Sequence, residues 1–484
     1  MADHHNNTPF LLERKDVVFV KPAKPTLFEV LSLSSIDNDP NLELLCQSIY
    51  VYQAKPKPIF SNGNARHHDD VASKVNSQEA DSSDPTHVIK DAISKVLVHY
   101  YPLAGKLKRE SDGRLQLTCN GDGVPFLEAT ANCQLSSLNY LDGVDVEIAK
   151  QFVFDLPSKS EYGYHPLVFQ LTKFSCGGFT IGMGLSHSVC DGFGASQFFR
   201  AMAEFASGKS EPTVKPVWER ERLVGKAIQE PLPPIVDNAG LAKSPYLPTT
   251  DILHACFNVT SESIRRLKVN LMKELCEENE GKRESFTTLE VLGAYIWRSR
   301  FRAFNLNPDG KTILFLTIGI RHLLNPSLPV GYYGNAISSS IVELMGGDLN
   351  EGPLSGAIKL IKESKKLACN SDHVWSRINI IETLIEKKIK IEGGRGAVMV
   401  LTDWRQLGLL EEVDFGWKAA VNIIPVPWKM FGYVDLCIFL PPFSLDPSMK
   451  GGVRVLVSLP KAVMPKFKEE MDALLKLGDE EAHP

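Results

Sequence analysis

No apolar run in this chain approaches the roughly 18 residues that a membrane-spanning helix needs, so no transmembrane segment is expected. The start, Met1–Arg14, lacks the apolar stretch of a secretory signal. It also mixes acids with histidines, unlike an Arg-rich transit peptide, and a cytoplasmic location is the expectation. There is no CxxC pair, and the nine cysteines, an odd number, are scattered from Cys46 to Cys437. That pattern argues against a disulfide framework. No cluster of His, Cys or Glu at ligand spacing completes a metal site. Long basic runs are missing, and the formal net charge of -5 over 484 residues is small. Neither nucleic acid nor a membrane surface is therefore an expected partner. A serine nucleophile on a GxSxG elbow is absent too.

What is present is a large potential core, with 43% hydrophobic residues in a chain long enough for two or more domains. Residues 1 to about 15 are polar and without periodicity, and are expected to be disordered. The stretch 61–85 is rich in Asn, Ser, Asp and His, and reads as a mobile loop. Strands are expected at Leu45–Tyr52, Pro166–Phe174, Phe179–Ser186, Thr312–Ile318, Val398–Leu401, Val434–Leu440 and Val453–Leu459. Helices are expected after the Asp84-Pro85-Thr86 start signal, beyond Asp191, and over Ser263–Glu278, Thr287–Phe304 and Ala462–Leu477. Seven prolines between Ser207 and Thr250 forbid a regular helix through much of that stretch, which reads as a crossover. Strands and helices alternate in both halves, so the class is α/β, or α+β if the sheets are mixed.

The most informative residues are His187-Ser188-Val189-Cys190-Asp191-Gly192, an HxxxDG pattern where a strand gives way to a helix. Cys176-Gly177-Gly178 turns one strand into the next, and His187 leaves that second strand at its end. There an imidazole can meet substrate and, titrating near neutrality, take a proton from a hydroxyl or amine. A lone histidine after a strand is more often a packing residue, and HxxxD by itself is a common spacing. Gly192 and Gly194 favour a tight functional bend.

The second cluster is Asp414-Phe415-Gly416-Trp417-Lys418. Its DFG letters are not those of a kinase, because no glycine-rich loop, VAIK-like lysine or HRD loop accompanies them. A turn with two packed aromatics is the plain reading. HxxxDG and DFGWx, over 200 residues apart, together resemble the plant BAHD family of acyl-CoA-dependent acyltransferases. Tyr101-Pro102-Leu103-Ala104-Gly105-Lys106, Gly331-Tyr332-Tyr333-Gly334-Asn335 and Thr402-Asp403-Trp404 are similar to further segments of that family. Lys418 stands where the family has glycine, which tells against a positive φ at that position.

The resemblance implies a two-domain fold like chloramphenicol acetyltransferase. The domains would be 1–206 and 251–484, with 207–250 as linker. It implies His187 as general base, with Asp191 paired to Arg321 to hold the bend, beside Gly192. Thr402 and Trp404 would line the pocket, with Thr402 helping to hold an oxyanion. Asp414, Gly416 and Trp417 would be structural. Acyl-CoA would be a co-substrate, with no metal, no permanently bound cofactor and no covalent enzyme intermediate. A monomer acting on small molecules is implied. The branch most similar is that of the spermidine hydroxycinnamoyl-transferases, which suggests an aromatic acyl group passed to a polyamine amine. An ester on an alkaloid or other alcohol, and a non-catalytic role, stand as alternatives.

Overall fold

Phe179–Ser186 buries all eight of its residues, and a strand covered on both faces belongs in the middle of a sheet. In the computed structural model it lies between Leu167–Phe174 and Leu45–Tyr52, antiparallel to both. The residues described are 10–55, 84–143, 145–155, 161–229, 240–278, 285–389, 396–410, 413–426 and 435–476. No helix among them is long and apolar enough to cross a membrane.

The first sheet continues from Leu167–Phe174 to Val124–Ala131, which runs parallel to it. Leu12–Arg14 and Val18–Val20 close that edge. The expected disorder through residue 15 is thereby corrected: Leu12, Glu13 and Arg14 pair with Ala131, Thr130 and Ala129. The backbone ladder compensates for the missing apolar pattern. Helices Pro85–Val96 and Gly192–Ala206 pack on each other and on this sheet. Phe198, Phe199, Met202 and Phe205 face inward from the second helix, with the Phe199 ring stacked 4.1 Å from that of Tyr50. Of the 61–85 stretch, residues 61–83 lie outside the described residues. Asp84 caps the first helix by accepting from the Thr86 N–H.

The second sheet has six strands in the order Ile252–Val259, Val453–Pro460, Leu436–Leu440, Val398–Asp403, Lys311–Gly319, Ile337–Met345. The pairs Lys311–Gly319 with Val398–Asp403, and Val398–Asp403 with Leu436–Leu440, are parallel, and the others antiparallel. Both large sheets are thus mixed. Thr288–Ala303, Leu354–Ala368 and Met464–Lys476 pack with the second sheet in one apolar cluster. A small third sheet joins Glu29–Ser32, Leu115–Cys119 and Lys106–Arg109. Within 207–250, the one helix among the described residues is the short 3-10 turn Arg220–Leu223.

The two large sheets are not two consecutive stretches of chain. Asn422–Val426 adds to the first sheet, antiparallel to Leu45–Tyr52. Leu409, Leu410, Val413, Phe415, Trp417 and Ile423 enter the first sheet's core. Arg454, 2% exposed, sits on a second-sheet strand and reaches across. It donates to Asn422 Oδ1 at 2.7 Å, Asp142 Oδ1 at 3.0 Å and the Ile423 carbonyl at 3.2 Å.

Candidate active site

The hairpin ending in Ser186 delivers His187 to the meeting line of the two sheets. The Val189 N–H returns to the Ser186 carbonyl at 3.0 Å, which turns the chain out of the strand. Asp191 then caps the helix Gly192–Ala206, its Oδ1 accepting the Gly194 N–H at 2.9 Å. Gly194 is a close-approach position, because a Cβ there would lie 2.0 Å from the Tyr333 carbonyl oxygen. A Cβ on Gly192 would come within 2.6 Å of Leu407. These glycines let the helix start nest against segments from the second half of the chain.

Asn335 decides how the imidazole is held. Its Nδ2 donates to Asp37 Oδ1 at 2.7 Å and to the His187 carbonyl at 2.6 Å. Both partners only accept, so the amide cannot be reversed without losing both bonds. Asn335 Oδ1 therefore faces His187 Nδ1 at 3.1 Å. An amide oxygen only accepts, which assigns the proton to Nδ1 and leaves Nε2 as the acceptor nitrogen. Asp37, fully buried, is balanced by Arg220 at 3.3 Å. Arg220 also donates to the Val189 carbonyl at 2.8 Å, and its guanidinium lies 4.3 Å from the Trp218 ring centroid.

Asp191 and Arg321 form a two-pronged ion pair, with Nη1 to Oδ2 at 2.8 Å and Nη2 to Oδ1 at 2.7 Å. Asp191 Oδ2 also accepts the Ala336 N–H at 3.0 Å, and Arg321 Nη2 donates to the Gly334 carbonyl at 2.9 Å. The carboxylate thus ties the helix start of the first half to a loop of the second.

His187 and Asp191 line a cavity of about 180 Å³, together with Gly192, Thr402, Asp403 and Trp404. Its apolar lining includes Tyr50, Met183, Phe193, Ile337 and Leu407. Among the described residues, no lysine or arginine lines it. Thr402 sits near the end of Val398–Asp403, opposite Ile438, and the Trp404 N–H donates to the Phe439 carbonyl at 2.8 Å. Cys46 and Cys190 also line the cavity. Burial pushes the Cys46 thiol up to about 12 and raises that of Cys190. Neither is a thiolate at neutral pH, which argues against a cysteine nucleophile beside His187.

The DFGW segment is not brought into this cavity. Asp414 is exposed, and its Oδ1 accepts the Gly416 N–H at 2.7 Å, closing a turn with Gly416 at φ +94°. Phe415 packs edge-on to Tyr52 and Phe199 at 5.8 and 5.4 Å. Trp417 packs edge-on to Phe179 at 5.2 Å, beneath the Lys55 ammonium at 4.0 Å. Lys418 adopts φ +66°. The sequence argument against a left-handed backbone at this position is therefore corrected: the turn imposes the conformation although a lysine occupies it.

Asn335, Asp37 and Arg220 were not singled out from the sequence as functional. Asn335 had a signal, as the last residue of the Gly331–Asn335 segment. Asp37 and Arg220 had none, since their meeting depends on residues 183 positions apart.

Two mixed sheets, the first completed by a strand from the second half of the chain, with a histidine at their junction, define the class of two-domain acyltransferases. The solved structure titled vinorine synthase has this architecture, with a TM-score of 0.70, 20% identity, and coverage of 96% of this chain and 98% of that one. At that identity the likeness establishes the fold. The Transferase family model matches residues 74–474. The spermidine coumaroyl-CoA acyltransferase of Arabidopsis thaliana is 44% identical over 97% of this chain and 97% of its own length. The spermidine sinapoyl-CoA acyltransferase of the same plant is 42% identical over 97% and 98%. The chain belongs to the Transferase family, the BAHD acyl-CoA-dependent acyltransferases.

Proposed function

We propose that the protein transfers an aromatic, hydroxycinnamoyl-type acyl group from CoA to an amine of a polyamine such as spermidine. The products are an amide and CoA. The names of the two Arabidopsis relatives support the donor and acceptor classes. The observation that carries the chemistry is the His187–Asn335–Asp37 chain, which presents an imidazole with its proton on Nδ1 at the cavity wall.

In the proposed reaction the acceptor nitrogen attacks the thioester carbonyl carbon while His187 Nε2 takes the nitrogen's proton. The carbonyl oxygen becomes an oxyanion, which Thr402 helps to hold, directly or through water. Collapse breaks the carbon–sulfur bond, and His187 returns the proton to the departing sulfur. Trp404 shapes the pocket wall. Asp191, Gly192 and Arg321 keep the bend that aims His187, whereas Asp414, Gly416 and Trp417 act through the fold. A positioned base contributes about 10²- to 10⁴-fold, and holding both substrates together supplies much of the rest. The protein is proposed to act as a monomer in the cytoplasm, with acyl-CoA as co-substrate and no membrane or nucleic-acid partner.

Purified protein given coumaroyl-, feruloyl- or sinapoyl-CoA and spermidine should yield amides by mass spectrometry. His187→Ala should lose about 10²-fold or more of that turnover with its melting temperature retained. Full activity in that variant would refute the base assignment. Esters formed only from alcohols would move the acceptor to another class while keeping the mechanism.

A further inference from the structure

The crossover 207–250 does more than join the two halves, because it carries one charge to the back of the loop that bears His187. Arg220 is 1% exposed. Glu219, just ahead of it, takes φ +29°, a conformation that costs a non-glycine residue free energy. The Val217 N–H donates to the Gly331 carbonyl at 2.9 Å, and the Trp218 indole N–H to the Ser32 carbonyl at 3.2 Å. These bonds seat the guanidinium in a slot that glycine leaves open. A Cβ on Gly334 would lie 1.4 Å from Arg220 Nη1.

Inside the slot the guanidinium meets the rings of Trp218, Tyr333 and Tyr332, with centroids at 4.3, 4.9 and 5.2 Å. Its Nη2 donates to the Val189 carbonyl at 2.8 Å, within the bend from His187 to Asp191. Its Nη1 faces Asp37 at 3.3 Å. Asp37 also accepts the N–H groups of Ser34 and Asn335, both at 3.2 Å, and Asn335 Nδ2 at 2.7 Å.

We infer that Arg220 is a positioning residue for His187: its charge balances Asp37, and Asp37 fixes the Asn335 amide that sets the imidazole's tautomer. The carboxylate is two hydrogen bonds from His187 Nδ1, and the guanidinium one contact further. Alone, the carboxylate would favour the imidazolium and keep the base protonated. Alone, the buried guanidinium would oppose the imidazolium. Paired, they hold the ring and leave it able to take and return a proton. The other ionisable neighbours are Asp39, which interacts electrostatically with His187, the closed pairs Asp191–Arg321 and Asp403–Arg405, Tyr50, and the thiols of Cys46 and Cys190. The inference rests on His187 as base.

The test reads the imidazole itself, without substrate, so its failure is distinct from failure of the acyl-transfer reading. Protein labelled with 15N in its histidine rings is titrated by NMR, and the His187 signal is identified by its loss in His187→Ala. The neutral wild-type ring should carry its proton on Nδ1. In Arg220→Met, Asp37 keeps its three N–H donors and its charge, so the His187 midpoint should rise by about one pH unit. Gly334→Ala, which displaces the guanidinium, should shift it the same way. Asp37→Asn should lower it by a similar amount, and Arg220→Lys, which keeps the charge, should hold it near wild type. The acid limb of kcat/KM should follow in the same directions. A merely structural role predicts no opposed shifts. Midpoints that stay put, or that move the same way in Arg220→Met and Asp37→Asn, would overturn the inference. Should Arg220→Met not fold, Asp37→Asn and Arg220→Lys decide it, and an unmoved midpoint in Asp37→Asn would refute it.

Discussion

Asn335 works through both ends of one amide. Its nitrogen is spent on Asp37 and the His187 backbone, so its oxygen has to meet the imidazole. Asn335→Ala should therefore free the tautomer and the ring angle without touching the substrate pocket. The expected outcome is a kcat lowered roughly 10-fold or more, with the KM for acyl-CoA little changed, by steady-state kinetics. Lys418 makes the opposite kind of contribution. At φ +66° a lysine bears the steric cost of the left-handed region that a glycine avoids. Lys418→Gly should stabilise the protein by about 0.5–1 kcal/mol after the larger unfolded-state entropy of glycine is subtracted. Chemical denaturation would measure it, and a loss of stability would contradict the strain argument.

Among the elements, the helix Gly192–Ala206 has the most to do with the site, because its cap and the inter-half ion pair are one carboxylate. Asp191 accepts from Gly194 within the helix start, and from Arg321 and Ala336 across the junction. Removing it uncaps a helix and leaves a guanidinium without its fork partner. Asp191→Ala should cost about 2–3 kcal/mol, somewhat less than a fully buried pair because the Arg321 side chain is 23% exposed. It should also lower turnover, since the bend at His187 is anchored there. Thermal melting and initial rates would be compared, and a wild-type melting curve would contradict the ion-pair reading.

At the scale of the molecule, the strand Asn422–Val426, the Phe415 and Trp417 rings and Arg454 bind the two sheets into one structure. Two independent domains would melt separately. Here the first sheet is not complete without a strand from the second half of the chain. Unfolding followed by tryptophan fluorescence and by far-ultraviolet circular dichroism should give coincident transitions. Separated midpoints would mean that the strand Asn422–Val426 and Arg454 do not couple the two sheets.

Much of the fold was legible in the sequence where the pattern is local. The strands Leu45–Tyr52 and Phe179–Ser186 were read with the bounds observed. The helix Thr288–Ala303 carries its capping box in its own letters, Thr287 and Glu290. Leu12–Arg14 was misread because a three-residue edge strand owes its order to a partner 115 or more positions away, not to its own pattern. No element was assigned to Ile337–Met345, Leu354–Ala368 or Ser371–Glu386. The strand Ile337–Met345 opens on a run of serines, which hides a strand that is half-buried at a sheet edge. At the site, the HxxxDG pattern singled out His187 and Asp191, and the family resemblance added Arg321, Thr402 and Trp404. By itself the sequence determined the class of reaction and the local elements that carry it. Only the tertiary structure decided which nitrogen of His187 holds the proton, and that a strand from the second half of the chain completes the first sheet. Those depend on pairings between residues far apart in the chain, set by close packing rather than by neighbouring letters.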